Sequence, residues 1–261
     1  MSKVDELTDF GNLTPSSVLR GIVPRLERVK HYLRMIVNAE ILMILFVYIP
    51  RFIGKMAGSP ALSFLETWNS EEVAVPVIAA ISGFMLVMAV YFCKALMRLK
   101  KYEPSMGKPG IFGVVVLAIT RVGLLFLFMG EPGYDVIFLV FGVLLLISYI
   151  RVLRDSMWEM AREASYRTAD RWKELFRNAM ITGSITIMAM LILNYLEMDW
   201  EIYPARFVDA LADFDFLLVA IAVVVVHCMT LYCLEKTKQV FSLVSDPNDD
   251  GDDDNPYAGR E

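Results

Sequence analysis

The chain has 261 residues, 56% of them hydrophobic and 21% charged, with a mean hydropathy of +0.50. An ordinary soluble domain is about 45–50% apolar, and here the charges fall in blocks between long uncharged runs, as they do when hydrocarbon and water each select their own segments. The net charge of −5 belongs to residues 246–261, which hold seven acids against Arg260; with the remaining bases confined to the borders of apolar runs, a nucleic-acid-binding surface is excluded.

In chain order, residues 1–32 are largely polar, so no cleavable leader is expected and the first apolar run acts as its own insertion signal. A membrane-spanning helix needs about 20 mainly apolar residues. Six runs qualify, at about 33–53, 73–97, 111–130, 135–150, 179–198 and 216–234. The first is the least apolar and carries Asn38 and Glu40. The second opens with Pro76 in its first turn, where proline is tolerated, and its Ala79, Ser82 and Gly83 favour close packing. Arg121 sits near the middle of the third run. The turn from Gly130 to Asp135 is tight and makes runs three and four neighbours. The fourth run is short, and Arg151 extends it by snorkelling.

Residues 151–178 repeat Trp158, Ala161, Ala169, Trp172 and Phe176 at helical spacing. They are read as one long amphipathic helix between spans four and five, lying in the cytoplasmic headgroup region or docked on the bundle, with docking of a protein partner as a sharper reading. His227 falls within the sixth run. Residues 245–261 read as a disordered acidic tail. Its Asp246-Pro-Asn-Asp-Asp-Gly stretch matches the opening of a calcium loop, but Tyr257 stands where a bidentate Glu is required.

The predicted fold is therefore an all-α membrane protein. Its domain at 33–244 has about six transmembrane helices arranged as three hairpins. Lys and Arg set its orientation. With the N-terminus inside, 21 of the 25 bases fall on inner segments, and only Arg51, Lys55 and Arg206 fall outside. Both termini are placed in the cytoplasm and the protein in the plasma membrane. On the outer side, Glu71, Glu72, Asp135, Asp213 and Asp215 are read as carboxylates at helix N-termini, where the dipole favours them. The expected partners are the bilayer and anionic lipid at its inner face, together with a protein partner at 151–178.

An ionisable group inside a span is costly and marks a candidate site. Counting 1.5 Å per residue, Arg121 lies roughly 15 Å from the inner edge, with Glu40 and His227 at roughly 8 and 10 Å. The arginine can reach either, so a Glu40, Arg121 and His227 cluster is expected, with Asn38, Thr120 and Thr186 adding hydrogen bonds. Such a cluster serves as a structural ion pair, an anion site or a proton path.

Catalytic motifs are missing from the sequence: it contains no HExxH, GxSxG, phosphate-binding loop or dinucleotide fingerprint. Two distant histidines do not supply bis-His haem ligation. Cys93, Cys228 and Cys233 lie in or at the ends of apolar runs, without a disulfide framework. No catalytic residue, metal site or cofactor is expected. Two functional expectations follow. One is a non-enzymatic scaffold, assembly or sensing component; the other is a small-solute or ion transporter or channel using the intramembrane cluster.

Overall fold

The computed structural model describes residues 15–57, 71–129, 135–162, 164–198 and 205–245. The described residues are all helical apart from short turns. In chain order they form α1 (Pro15–Met43), a π-helical turn (Ile44–Tyr48), α2 (Ile49–Ala57), α3 (Glu71–Leu99), a 3-10 turn (Pro104–Met106), α4 (Gly107–Met129), α5 (Asp135–Arg162), α6 (Tyr166–Met198) and α7 (Ala205–Ser245). The acidic tail beyond Ser245 lies outside the described residues.

Five helical stretches are long and apolar enough to cross a membrane: Gly21–Gly54, Val73–Leu99, Ile137–Arg162, Tyr166–Tyr195 and Phe214–Leu243. These belong to an all-α architecture of membrane type. The third apolar run falls on α4, whose side chains are described as far as Thr120.

The long helices form a closed ring. Each packs against its neighbour in sequence, from α1 through α3, α4, α5 and α6 to α7, and α7 closes on α1. Continuity of α1 into α2 depends on the π turn, in which the Ile49 amide donates to the Ile44 carbonyl five residues back. Pro50 follows immediately, with no amide proton and a ring that crowds the preceding turn. One extra residue per turn relieves that crowding while keeping Met43, Val47 and Tyr48 buried.

Helix length exceeds what a bilayer requires. The 41 residues of α7 extend about 61 Å, against roughly 30 Å of hydrocarbon. At the end richest in Lys and Arg, the helices continue past their apolar runs and remain packed. Leu26, Leu99, Met106, Met157, Trp172 and Phe241 form the centre of this extension and are almost fully buried. A second buried cluster at the opposite end gathers Met43, Tyr48, Ile78, Leu139, Met190 and Phe216.

One sequence expectation changes here. Residues 151–178 are not one continuous helix, and of the two placements read from the sequence it is packing on the bundle that the structure has. They are the basic ends of α5 and α6, separated by a corner around Ala164 and Ser165. The Ser165 hydroxyl accepts from the Thr168 amide and caps the new helix. The apolar stripe faces protein rather than lipid, because Ala161, Ala169 and Trp172 bury against the other helices. Part of the 1–32 segment is also helix, since α1 begins at Pro15 and runs through Pro24.

Charges close the contact between α1 and α7 at this end. Lys30 is buried and reaches Glu27 at 2.8 Å and Glu235 at 2.7 Å, while Lys238 reaches the same two carboxylates at 2.8 and 3.1 Å. These groups lie beyond the apolar runs 33–53 and 216–234.

Where α3 meets α4, a glycine sets the spacing. A Cβ at Gly110 would stand 3.2 Å from the Cys93 carbonyl oxygen and 2.9 Å from Met97 Cγ. The methionine can move, but the backbone oxygen cannot without shifting a helix. Gly110→Ala is therefore expected to cost about 1–3 kcal/mol in a thermal unfolding measurement, as overpacking does.

Candidate functional site

The ring encloses a cavity of about 110 Å³ where the two buried clusters meet. Its lining on α1 and the following π turn runs from Leu33 to Tyr48, about 22 Å of helix, so it is long and narrow. The other walls come from Phe92 of α3, Val116, Leu117 and Thr120 of α4, Phe138 to Tyr149 of α5, and Phe216 to His227 of α7. Most of these side chains are apolar. The polar atoms come from few residues, chiefly Glu40, His227, Thr120 and Tyr149.

Glu40 occupies a position on α1 that its neighbours give to apolar residues. Leu33, Ile36, Glu40 and Met43 recur at three- and four-residue spacing, which puts them on one helical face. On α7, Val219, Val223, His227 and Thr230 follow the same rule. Folding α1 against α7 thus brings together two residues 187 positions apart. With its Nδ1 protonated, His227 donates to Glu40 Oε2 at 2.9 Å. The side chains of Glu40 and His227 are only 3% and 6% exposed. In so dry a setting a lone carboxylate is expensive and a charge-assisted hydrogen bond offsets much of that cost.

Tyr149 adds a second polar feature. Its hydroxyl is buried and has no hydrogen-bond partner among the described residues. The ring is held by close packing, since a Cβ at Gly113 would come within 2.9 Å of Tyr149 Cε2 and 3.3 Å of Cys93 Sγ. A buried hydroxyl left unpaired forfeits about 1–3 kcal/mol, which a hydrogen-bonding occupant recovers. Thr120 is better satisfied, donating to the Val116 carbonyl at 2.9 Å and lying within 3.2 Å of that of Leu117.

No family model, characterised protein or solved structure matches this chain. Function is read from the site alone.

Of the residues singled out in the sequence, Glu40 and His227 meet, and Thr120 lines the same cavity. Arg121 lies on α4, next to Thr120, but its side chain is outside the described residues. Asn38 does not join them: two positions before Glu40 is about 200° around the helix, and its side chain is exposed. Thr186 is buried but donates to the Thr182 carbonyl on its own helix. Among the described residues no group of three or more His, Cys, Asp or Glu stands close enough to hold a metal ion.

Sequence reasoning missed two groups. Tyr149 ends an apolar run, where an aromatic reads as an interface anchor. Only its spacing from Leu139, Val143 and Leu146 marks it as inward-facing. Asp215, expected at a helix N-terminus, is instead 2% exposed and ten residues inside α7, which begins at Ala205. The helix starts three turns earlier than the apolar run does, so the carboxylate has no free helix end to cap.

Proposed function

We propose that this protein is a non-enzymatic, six-span membrane component with its basic helix ends in the cytoplasm. It binds a slender, largely apolar molecule inside the helix ring and serves as a sensor for it. The observation that carries this reading is the shared cavity. A buried carboxylate–imidazole pair and a phenol without a hydrogen-bond partner among the described residues face one elongated space whose other described walls are almost wholly hydrocarbon. An alkyl chain suits the length, and a hydroxyl or carbonyl end suits the polar groups. Occupancy is communicated through α1 and α7, which carry Glu40 and His227 and meet again at Lys30, Glu27, Glu235 and Lys238.

The transporter or channel reading draws on the same residues. For a hydrated ion, however, the described walls offer too few oxygens to replace the water shell. The scaffold reading has its own support in the packed extension at the basic end, which presents Trp158 between Arg162 and Lys173, each 4.8 Å from the ring centre.

The test is thermal unfolding in lipid nanodiscs with 1-octanol and n-octane as a matched pair. A site ligand present at about 100 times its Kd stabilises by about 2.7 kcal/mol, and the alcohol is expected to raise Tm more than the alkane. Gly142→Ala is expected to fold normally, because its new methyl meets Thr120 Cγ2 at an ordinary 3.8 Å. It should nevertheless weaken the octanol response by narrowing the cavity. Equal responses to alcohol and alkane would sink the proposal.

A further inference from the structure

Outside the ring, α6 and α7 enclose a groove of about 680 Å³ at the basic end of the bundle. Its floor is Leu175 and Cys233, both buried, with the Cys233 thiol donating to the Arg171 carbonyl. The rim carries groups of both signs, and the two that matter most are Arg171 and Glu174. The Arg171 guanidinium lies 5.8 Å from the centre of the Tyr232 ring, and neither side chain forms an ion pair among the described residues. Their neighbours are already engaged, Asp170 by Lys173 at 3.1 Å.

What lies next to the groove decides its occupant. The α6 face that carries Arg171, Glu174 and Asn178 continues at three- and four-residue steps through Ile181, Ile185, Met188 and Ile192, all exposed. On α7, Ile221 and Val225 are exposed in the same direction before the chain reaches Tyr232. One outward seam therefore changes from hydrocarbon at Ile181 to adjacent opposite charges at Glu174 and Arg171, about one and two turns beyond Asn178. That sequence of surfaces matches a phospholipid, with acyl chains along the isoleucines and a headgroup among the charges.

We propose that this groove is a binding site for one zwitterionic phospholipid of the cytoplasmic leaflet, of the phosphoethanolamine class. Arg171 takes the phosphate through its planar fork of donors. Glu174, about one turn nearer the hydrocarbon, takes the ammonium of a headgroup folded back along the groove, while the Tyr232 ring holds the arginine in place. A basic patch alone would favour an anionic headgroup. A base and an acid without ion-pair partners, side by side, favour a headgroup that carries both charges.

Native mass spectrometry of the full chain in detergent, with phosphatidylethanolamine and phosphatidylglycerol added at equal concentration, tests this. The expected result is one retained phosphatidylethanolamine, in preference to phosphatidylglycerol. Arg171→Ala should weaken both lipids by about tenfold or more, the loss of a charge-assisted contact. Glu174→Gln, a surface change that leaves the fold alone, should abolish the preference by weakening phosphatidylethanolamine only. Equal retention of the two lipids by the unmodified protein overturns the proposal, and so does a Glu174→Gln variant that keeps the original preference.

Discussion

His227→Leu is expected to cost the folded protein about 1.5–3 kcal/mol, the range for a hydrogen bond to a charged group. Leucine fills much of the imidazole's space, so the loss does not come from a cavity. It comes from Glu40, left in a dry site without the ring nitrogen that stood 2.9 Å from its carboxylate. Adding Glu40→Met to the same protein should recover most of the loss, because an apolar pair of similar volume has no charge to desolvate. The two changes must therefore be non-additive, and a coupling of about 0.5–3 kcal/mol is expected for groups in contact. Thermal unfolding of the two single variants and the double variant in one detergent measures it. The double variant separates structure from function. It should be stable yet respond alike to octanol and octane, since the polar end of the cavity is gone. If instead the singles and the double all match the unmodified protein, the pair neither holds α1 to α7 nor defines the site.

Trp172→Ala should have a larger effect through a different cause. The indole is completely buried and is the largest of the fully buried side chains. Truncating a buried tryptophan costs about 3–5 kcal/mol, part from lost transfer and part from the void that remains. Here the indole also holds two parts of the chain together. Its Nε1 donates to Thr237 Oγ1 at 3.0 Å, and Thr237 in turn donates to the Cys233 carbonyl at 2.8 Å. The alanine variant loses the anchor that fixes the α5–α6 corner to α7. Local opening should then precede global unfolding, so tryptic cleavage after the exposed Arg162 should accelerate well before the bulk melting transition. Trp172→Phe keeps most of the packing and loses only the hydrogen bond, for which about 1 kcal/mol is expected. An alanine variant as stable and as resistant to protease as the unmodified protein would show that the extension at the basic end is not part of the cooperative fold.

The membrane character of this protein is written in local sequence, because hydropathy over about 20 residues depends on nothing distant. The inward position of Glu40 and of His227 is equally local, since each sits on its own helix at the spacing of apolar neighbours. That spacing also excludes Asn38, which could have been set aside from the helical wheel alone. The role of residues 151–178 was not legible. A single-faced helical period is identical whether the stripe meets lipid headgroups or other helices, and the break near Ser165 carries neither proline nor glycine. Only the presence of Leu26, Met106 and Phe241 at the same level, supplied by three distant segments, makes protein the better partner. Asp215 misled for a related reason. Hydropathy marks where an uncharged run begins, but α7 begins at Ala205, ten residues earlier, in a stretch interrupted by Arg206, Asp209 and Asp213.

By itself, then, the sequence determined the helical class, the apolar runs and the costly intramembrane groups Glu40, Arg121 and His227. Tertiary structure alone decided that Glu40 and His227 meet directly, that the helices close into a ring, and that a cavity remains beside the pair. The physical reason is that burial of one face is a property of one helix, whereas pairing and empty space are properties of several helices at once.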